Sequence, residues 1–164
     1  MRRFKLIAAM GGLAVALAAC ETIPETYGAI PDYRASPSYG TLSLSAGFTP
    51  DPQVIALQSG GRIPASNLSS SCSGYIAGAP DVRLHYQAGG YPLILSVASS
   101  SDTTLVVNGP DGSWYCDDAG GVNGLNPSLR FGAPRSGQYD IWVGTYGGDD
   151  LRAARLHISE VESQ

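Results

Sequence analysis

The chain has 164 residues, of which 43% are hydrophobic and 15% charged, with 14 acidic side chains against 10 basic ones and a net charge of −4. That length suffices for one domain with a substantial core. The acidic balance repels phosphate backbones, which argues against nucleic acid as a partner and against electrostatic adsorption to anionic lipid.

Arg2, Arg3 and Lys5 lead an apolar run from Leu6 to Ala19, which closes on Leu17-Ala18-Ala19-Cys20. A basic start, a short apolar stretch and small residues before a cut predict an export signal helix over residues 1–19. The run is shorter than the ~20 residues a membrane span needs. Small residues ending on a cysteine resemble the bacterial lipobox, in which the thiol is diacylated and becomes the new N-terminus. The resemblance implies a palmitate-type lipid anchor at Cys20. Glu21 in place of aspartate implies the outer membrane rather than the inner one. The other reading is an ordinary cleaved signal with Cys20 merely near the cut. Cleavage removes three of the ten bases and none of the acids, leaving seven arginines against 14 carboxylates and a net charge of −7.

Residues 20–40 read as a flexible tether, punctuated by Pro24, Pro31 and Pro37. Proline-rich linkers extend by ~3.1 Å per residue, so this one could reach roughly 60 Å. Tyr27, Tyr33 and Tyr39 recur in it at equal spacing, as a binding motif or as residues that pack on the domain.

From residue 41 to 164 the pattern is that of strands. Leu42 and Leu44 alternate with serines, and Val82, Leu84 and Tyr86 alternate with Arg83, His85 and Gln87. Residues 93–98 and 104–108 are apolar runs. Tyr139, Ile141 and Val143 alternate with Asp140, Trp142 and Gly144, while Leu156 and Ile158 alternate with Arg155 and His157. Period two with glycine and proline punctuation predicts an all-β fold, an antiparallel β-sandwich of jelly-roll or Greek-key type. The hairpin 104–117 is sharply written, with Pro110, Asp111 and Gly112 supplying the turn. A weak echo links the region from Leu84 to Tyr91 with that from Leu129 to Tyr139, as two similar strand–turn–strand units.

With Cys20 assigned to lipid, Cys72 and Cys116 remain as an even pair in an oxidising compartment and are expected to form a disulfide. A redox or metal role is the alternative, although no C-x-x-C spacing supports it.

Between Asp102 and Tyr146 a series of motifs recurs in order: Asp102-Thr-Thr-Leu105, Gly109-Pro-Asp-Gly112, Asp117-Asp118, and Pro134-Arg-Ser-Gly137-Gln-Tyr139 leading into Ile141-Trp-Val143. This order resembles the bacterial pre-peptidase C-terminal domain, a small β-sandwich. The resemblance implies an accessory module that accompanies secreted peptidases and assists export, localisation or substrate contact without catalysing.

Candidate chemistry is sparse. The two histidines, His85 and His157, fall at outward positions of predicted strands beside arginines, and no G-x-S-x-G elbow is present, so a hydrolytic triad is not expected. Zinc is equally poorly served. Asp117, Asp118, Asn123 and Asn126 gather oxygen donors in one glycine-rich loop and are candidate calcium ligands. Their competing reading is a turn in which the side chains cap their own backbone. Trp114, Tyr115, Trp142 and Tyr146 are the candidate aromatic platform for a glycan or protein partner, with Trp142 on either a second buried surface or an exposed one. The expectation is therefore a lipid-anchored, non-enzymatic envelope module contacting a protein or polysaccharide. A peptidase or peptidase-accessory protein is the alternative.

Overall fold

The computed structural model describes residues 29–164; the predicted export signal at 1–19, Cys20 and Tyr27 lie outside them. The strands are β1 (Thr41–Ser45), β2 (Gln53–Ser59), β3 (Ile63–Pro64), β4 (Tyr75–Ile76), β5 (Val82–Gln87), β6 (Leu93–Ala98), β7 (Thr103–Asn108), β8 (Trp114–Asp117), β9 (Ser128–Phe131), β10 (Gly137–Thr145) and β11 (Arg152–Ser159). One 3₁₀ turn, Ala65–Asn67, interrupts them.

Two sheets pack face to face. Sheet A carries β1-β5-β10-β4-β3, with β7 also pairing β10 and β8 pairing β7, and sheet B runs β2-β11-β6-β9. The alternation read from sequence sorts the side chains. Leu84, Tyr86, Tyr139, Ile141, Leu105 and Val107 of sheet A meet Leu57, Leu93, Leu95, Val97, Leu156 and Ile158 of sheet B in the main core. The repeated units also find their place. Strand β5 lies in sheet A and β6 in sheet B, whereas β9 lies in sheet B and β10 in sheet A. Each unit thus arches between the sheets, and the two arches pair with each other in both, β5 with β10 and β6 with β9. The predicted hairpin spans β7 and β8. Its turn is closed by Gly109 N–H on Ser113 O at 2.9 Å, with Gly112 at φ +76°.

Two features depart from the sequence reading. Strand β1 pairs β5 in parallel, Thr41 against Arg83 through Ser45 against Gln87, within an otherwise antiparallel sandwich. The cause lies in the expected tether, 20–40, whose described part, residues 29–40, is a strap laid on the domain rather than a free segment. Asp32 N–H bonds Gly78 O, Ser38 N–H bonds Pro80 O and Tyr39 N–H bonds Asp81 O. The strap delivers the chain to the end where β5 begins, so β1 has to run in β5's direction. Arg83 holds the strap from below. Its guanidinium pairs with Asp140 at 2.6 Å and donates to Tyr33 O and Ala35 O at 2.5 and 3.1 Å. Asp140 is almost fully buried, and this partner and the Gln138 amide at 2.7 Å satisfy its carboxylate oxygens.

Candidate functional site

Around β7, β8 and the second half of β10, the outer face of sheet A is a second core rather than a surface. Ile63, Ala65, Cys72 and Ile76, from the segment between β2 and β5, close over Val106 and Trp142, with Trp114 and Cys116 packed alongside. The Cys72–Cys116 disulfide forms, with Cα atoms 5.3 Å apart, and pins this flap to β8. Gly144 permits the close approach, because a Cβ there would lie 2.4 Å from Tyr75 O.

This arrangement corrects the aromatic platform. Trp142 does lie opposite Tyr139, Ile141 and Val143, as alternation requires, but it is 0% exposed. Its ring centroid is 5.4 Å from that of half-buried Trp114. Tyr115 turns to the other side of β8, where it meets Phe131 edge-on at 5.0 Å and bonds Asp111 through its hydroxyl. Of the four, only Tyr146 is exposed, at 46%, so they form no common platform. The reason is that alternation separates two faces of a strand but does not say what covers either.

The candidate calcium ligands are placed as turn-formers. Asp117 Oδ2 accepts from Gly120 N–H at 2.7 Å and Ser128 N–H at 2.8 Å. Asn126 is buried, with Oδ1 accepting from Thr103 Oγ1 at 2.7 Å and Nδ2 donating to Ser99 O at 2.9 Å. Asp118 is half-buried and Asn123 exposed, and Asn123 lines a groove elsewhere. Among the described residues, no group of three His, Cys, Asp or Glu side chains converges as a metal site would require.

The histidines differ from each other. His85 is exposed on sheet A, as expected. His157 is half-buried on the outer face of sheet B, where neither ring nitrogen has a partner. Burial and the neighbouring Arg155 hold its pKa below the usual value. The chain beyond β11 covers it, with Gln164 N–H bonding Ser96 Oγ and Ser163 Oγ bonding Ser128 Oγ. Two buried acids have structural partners. Asp81 Oδ2 accepts from Val143 N–H at 2.7 Å, while burial raises its pKa to about 7. Glu160 joins Tyr86 and Gly47 N–H at 2.6 and 2.8 Å, and burial beside that carboxylate pushes the tyrosine pKa up.

The β1–β5 side of sheet A is open and polar, at Ser43, His85 and Gln87; the larger open region is the upper part of sheet B's outer face and the adjoining loop end. Strand register places Ala56, Arg155 and Ala98 in one row and Gln58 and Ala153 in the next. Their small side chains leave a groove of about 740 Å³, bounded by Tyr39 on one side and Ser99 and Asn123 on the other. Among the described residues, Arg155 is the only charged side chain lining it. Tyr39 is fixed there by Gln58 N–H, which donates to its hydroxyl at 2.9 Å.

The loops above the groove carry exposed apolar residues: Val122 and Leu125 after β8, and Tyr146 and Leu151 between β10 and β11. Thr103 N–H on Leu125 O and Tyr146 N–H on Asp102 O draw both loops to the β6–β7 connection. Exposed Asp102, Asp149 and Asp150 and half-buried Asp118 lie in these loops, with Arg152 paired to Asp150 at 2.9 Å. Sequence reasoning missed the groove because its floor comes from three strands whose register is not written in any one of them.

No protein-family model matches the chain and no curated protein is similar to it, so the pre-peptidase motif order has no family match behind it. Among solved structures the chain is similar to the crystal structure of Aeromonas hydrophila PliG, a periplasmic lysozyme inhibitor of g-type lysozyme. Identity is 14%, coverage is 73% of this chain and 96% of that one, and the TM-score is 0.41. A likeness at that level carries no functional argument.

Proposed function

We propose that the protein is an exported, lipid-anchored, non-enzymatic module of the bacterial envelope that contacts a protein partner through the loop end and the open face of sheet B. The observation that carries this reading is the distribution of apolar side chains. The two tryptophans a sugar platform would use are buried or half-buried under the flap, whereas Leu151, at 62% exposed, and Tyr146 stand out among acidic loops. Exposed apolar residues rimmed by polar ones are the composition of a protein contact. The Leu17-Ala-Ala-Cys20 run and the disulfide support export, since such bridges persist in oxidising compartments. Anchoring through Cys20 to the outer membrane supplies the location. The pre-peptidase-like motifs supply the narrower form of the reading, in which the partner is an exported peptidase or its substrate.

The test is site-specific photo-crosslinking in intact cells, with the probe at Leu151 or Tyr146 and a control probe at exposed Gln87. A discrete product from the first two and none from the control is expected. No product from either loop position defeats the reading. Mass spectrometry of the mature N-terminus tests the anchor, with a diacylated Cys20 as the expected species.

A further inference from the structure

Sheet B has two edges, and they are protected unequally. At the β9 edge, Asp117 occupies Ser128 N–H, and Arg130 places a charge on a strand of only four residues. Strand β2 is seven residues long, QVIALQS, with no charge, proline or glycine. Exposed, uncharged edge strands are templates for pairing with another chain. Gln58 N–H points to Tyr39 and therefore away from β11. Alternation in an antiparallel ladder then turns the N–H and C=O of Ala56 and Val54 outward as well. Neither residue bonds a loop backbone among the described residues, and Val54 is 49% exposed. Tyr39 closes one end of this edge, so the free length is short and defined.

The groove lies on the same strand. A chain paired with β2 would set one side chain beside Ala56, on the outer face. Arg155 is the neighbour of Ala56 on β11, and the methyl side chain of Ala56 leaves room for its guanidinium to reach over. No ion pair engages Arg155 among the described residues. We infer that the β2 edge and its groove form a docking site for an extended peptide segment that adds as a strand and places a carboxylate side chain against Arg155. Main-chain bonds to Val54 and Ala56 supply affinity, and the side chain over Ala56 supplies selectivity, which is the division of labour in strand addition. The inference rests on the reading of this face as a protein-contact surface and names the chemistry of what it contacts.

The experiment uses the full exported chain, purified in detergent, and three end-blocked seven-residue peptides. Each alternates threonine and valine around a central glutamate, glutamine or lysine and carries a fluorophore read by anisotropy. The glutamate peptide is expected to bind at least tenfold more tightly than the lysine peptide. Arg155→Gln should bring the two within about twofold. Ala56→Pro should abolish binding while leaving the melting temperature unchanged, since proline is tolerated where an edge N–H faces outward. Equal affinity for all three peptides, no binding of any, or a charge preference that survives Arg155→Gln overturns the inference. If the partner crosslinked at Leu151 is captured equally by Ala56→Pro, the docking site is refuted while the protein-contact reading stands. If nothing crosslinks but the glutamate peptide binds as described, the loop end is refuted and the groove stands.

Discussion

The outer faces of the two sheets are covered to different extents, and the side chains they present account for the difference. On sheet A, the strap at 29–40 and the flap between β2 and β5 bury Trp142, Val106 and Asp140. On sheet B, the chain after β11 covers His157 and Ser96 but leaves Ala56, Ala98 and Ala153 as the floor of a groove. Sheet A offers large side chains whose exposure to water would be costly, roughly 4–5 kcal/mol for a tryptophan burying about 200 Å². Sheet B offers alanines, for which the driving force to attract a cover is small. A face paved with small residues can stay open without destabilising the fold, and an open face is where recognition is available.

The largest effect should come from the covered face. Trp142→Ala removes the centre of the second core and is expected to cost about 3–5 kcal/mol, measured by denaturant unfolding; a cost below 1 kcal/mol would mean that the flap does not pack as described. Losing the bridge should come next. Cys116→Ser opens a loop of 44 positions, worth about 4 kcal/mol in the chain-entropy model and less if the native bridge is strained. It should lower the melting temperature by roughly 10–15 °C, with the same shift seen for the parent under reduction. Arg83→Ala leaves Asp140 buried without its cation and should cost about 3 kcal/mol. Limited proteolysis should then cut within residues 29–40, whereas the parent resists.

The faces should also differ in their response to pH. The folded pKa of Asp81, about 7, lies above its unfolded value of 3.8. Between those values the folded state holds a proton that the unfolded state has released, so this group makes stability fall as pH rises from about 4 to 7. Asp81→Asn keeps an acceptor for Val143 N–H and should flatten that slope. His157 acts in the opposite sense. Its folded pKa lies below 6.5, so the unfolded state takes up the proton first and stability falls as pH drops below that value. His157→Gln should remove the acid-side loss; if both variants keep the parent's pH profile, the two groups are not its source. The smallest effect belongs to the open face, where Arg155→Gln is expected to change stability by less than about 0.5 kcal/mol.

Much of this arrangement was legible. Alternation in residues 82–87 and 139–143 identified the inward sides of β5 and β10, because a half-buried strand must segregate its faces. Pro110 and Gly112 marked the hairpin, since their backbone preferences are local. The echo between residues 84–91 and 129–139 marked two arches that pair with each other. At Asp117 and Asn126, carboxylate and amide oxygens suit a cation and a turn equally well in a sequence. Hydrogen bonds to Gly120, Ser128 and Thr103 show which groups the oxygens actually serve. The strap misled because prolines and the loss of period describe a docked segment as well as a free one. Only the contacts to Gly78, Pro80 and Arg83 distinguish the two.

The sequence by itself determined the strand faces and the hairpin turn, and, once Cys20 is set aside for lipid, cysteine parity pointed to the pairing of Cys72 with Cys116. These follow from period, backbone preference and counting, all of which are local or arithmetical. The tertiary structure alone decided which face is covered. Trp142 is buried by residues near position 70, Arg83 is engaged by residues near position 34, and the groove at Ala56 is shared with Ala98 and Arg155. Such meetings depend on which distant segments pack together, and no local pattern in the chain records them.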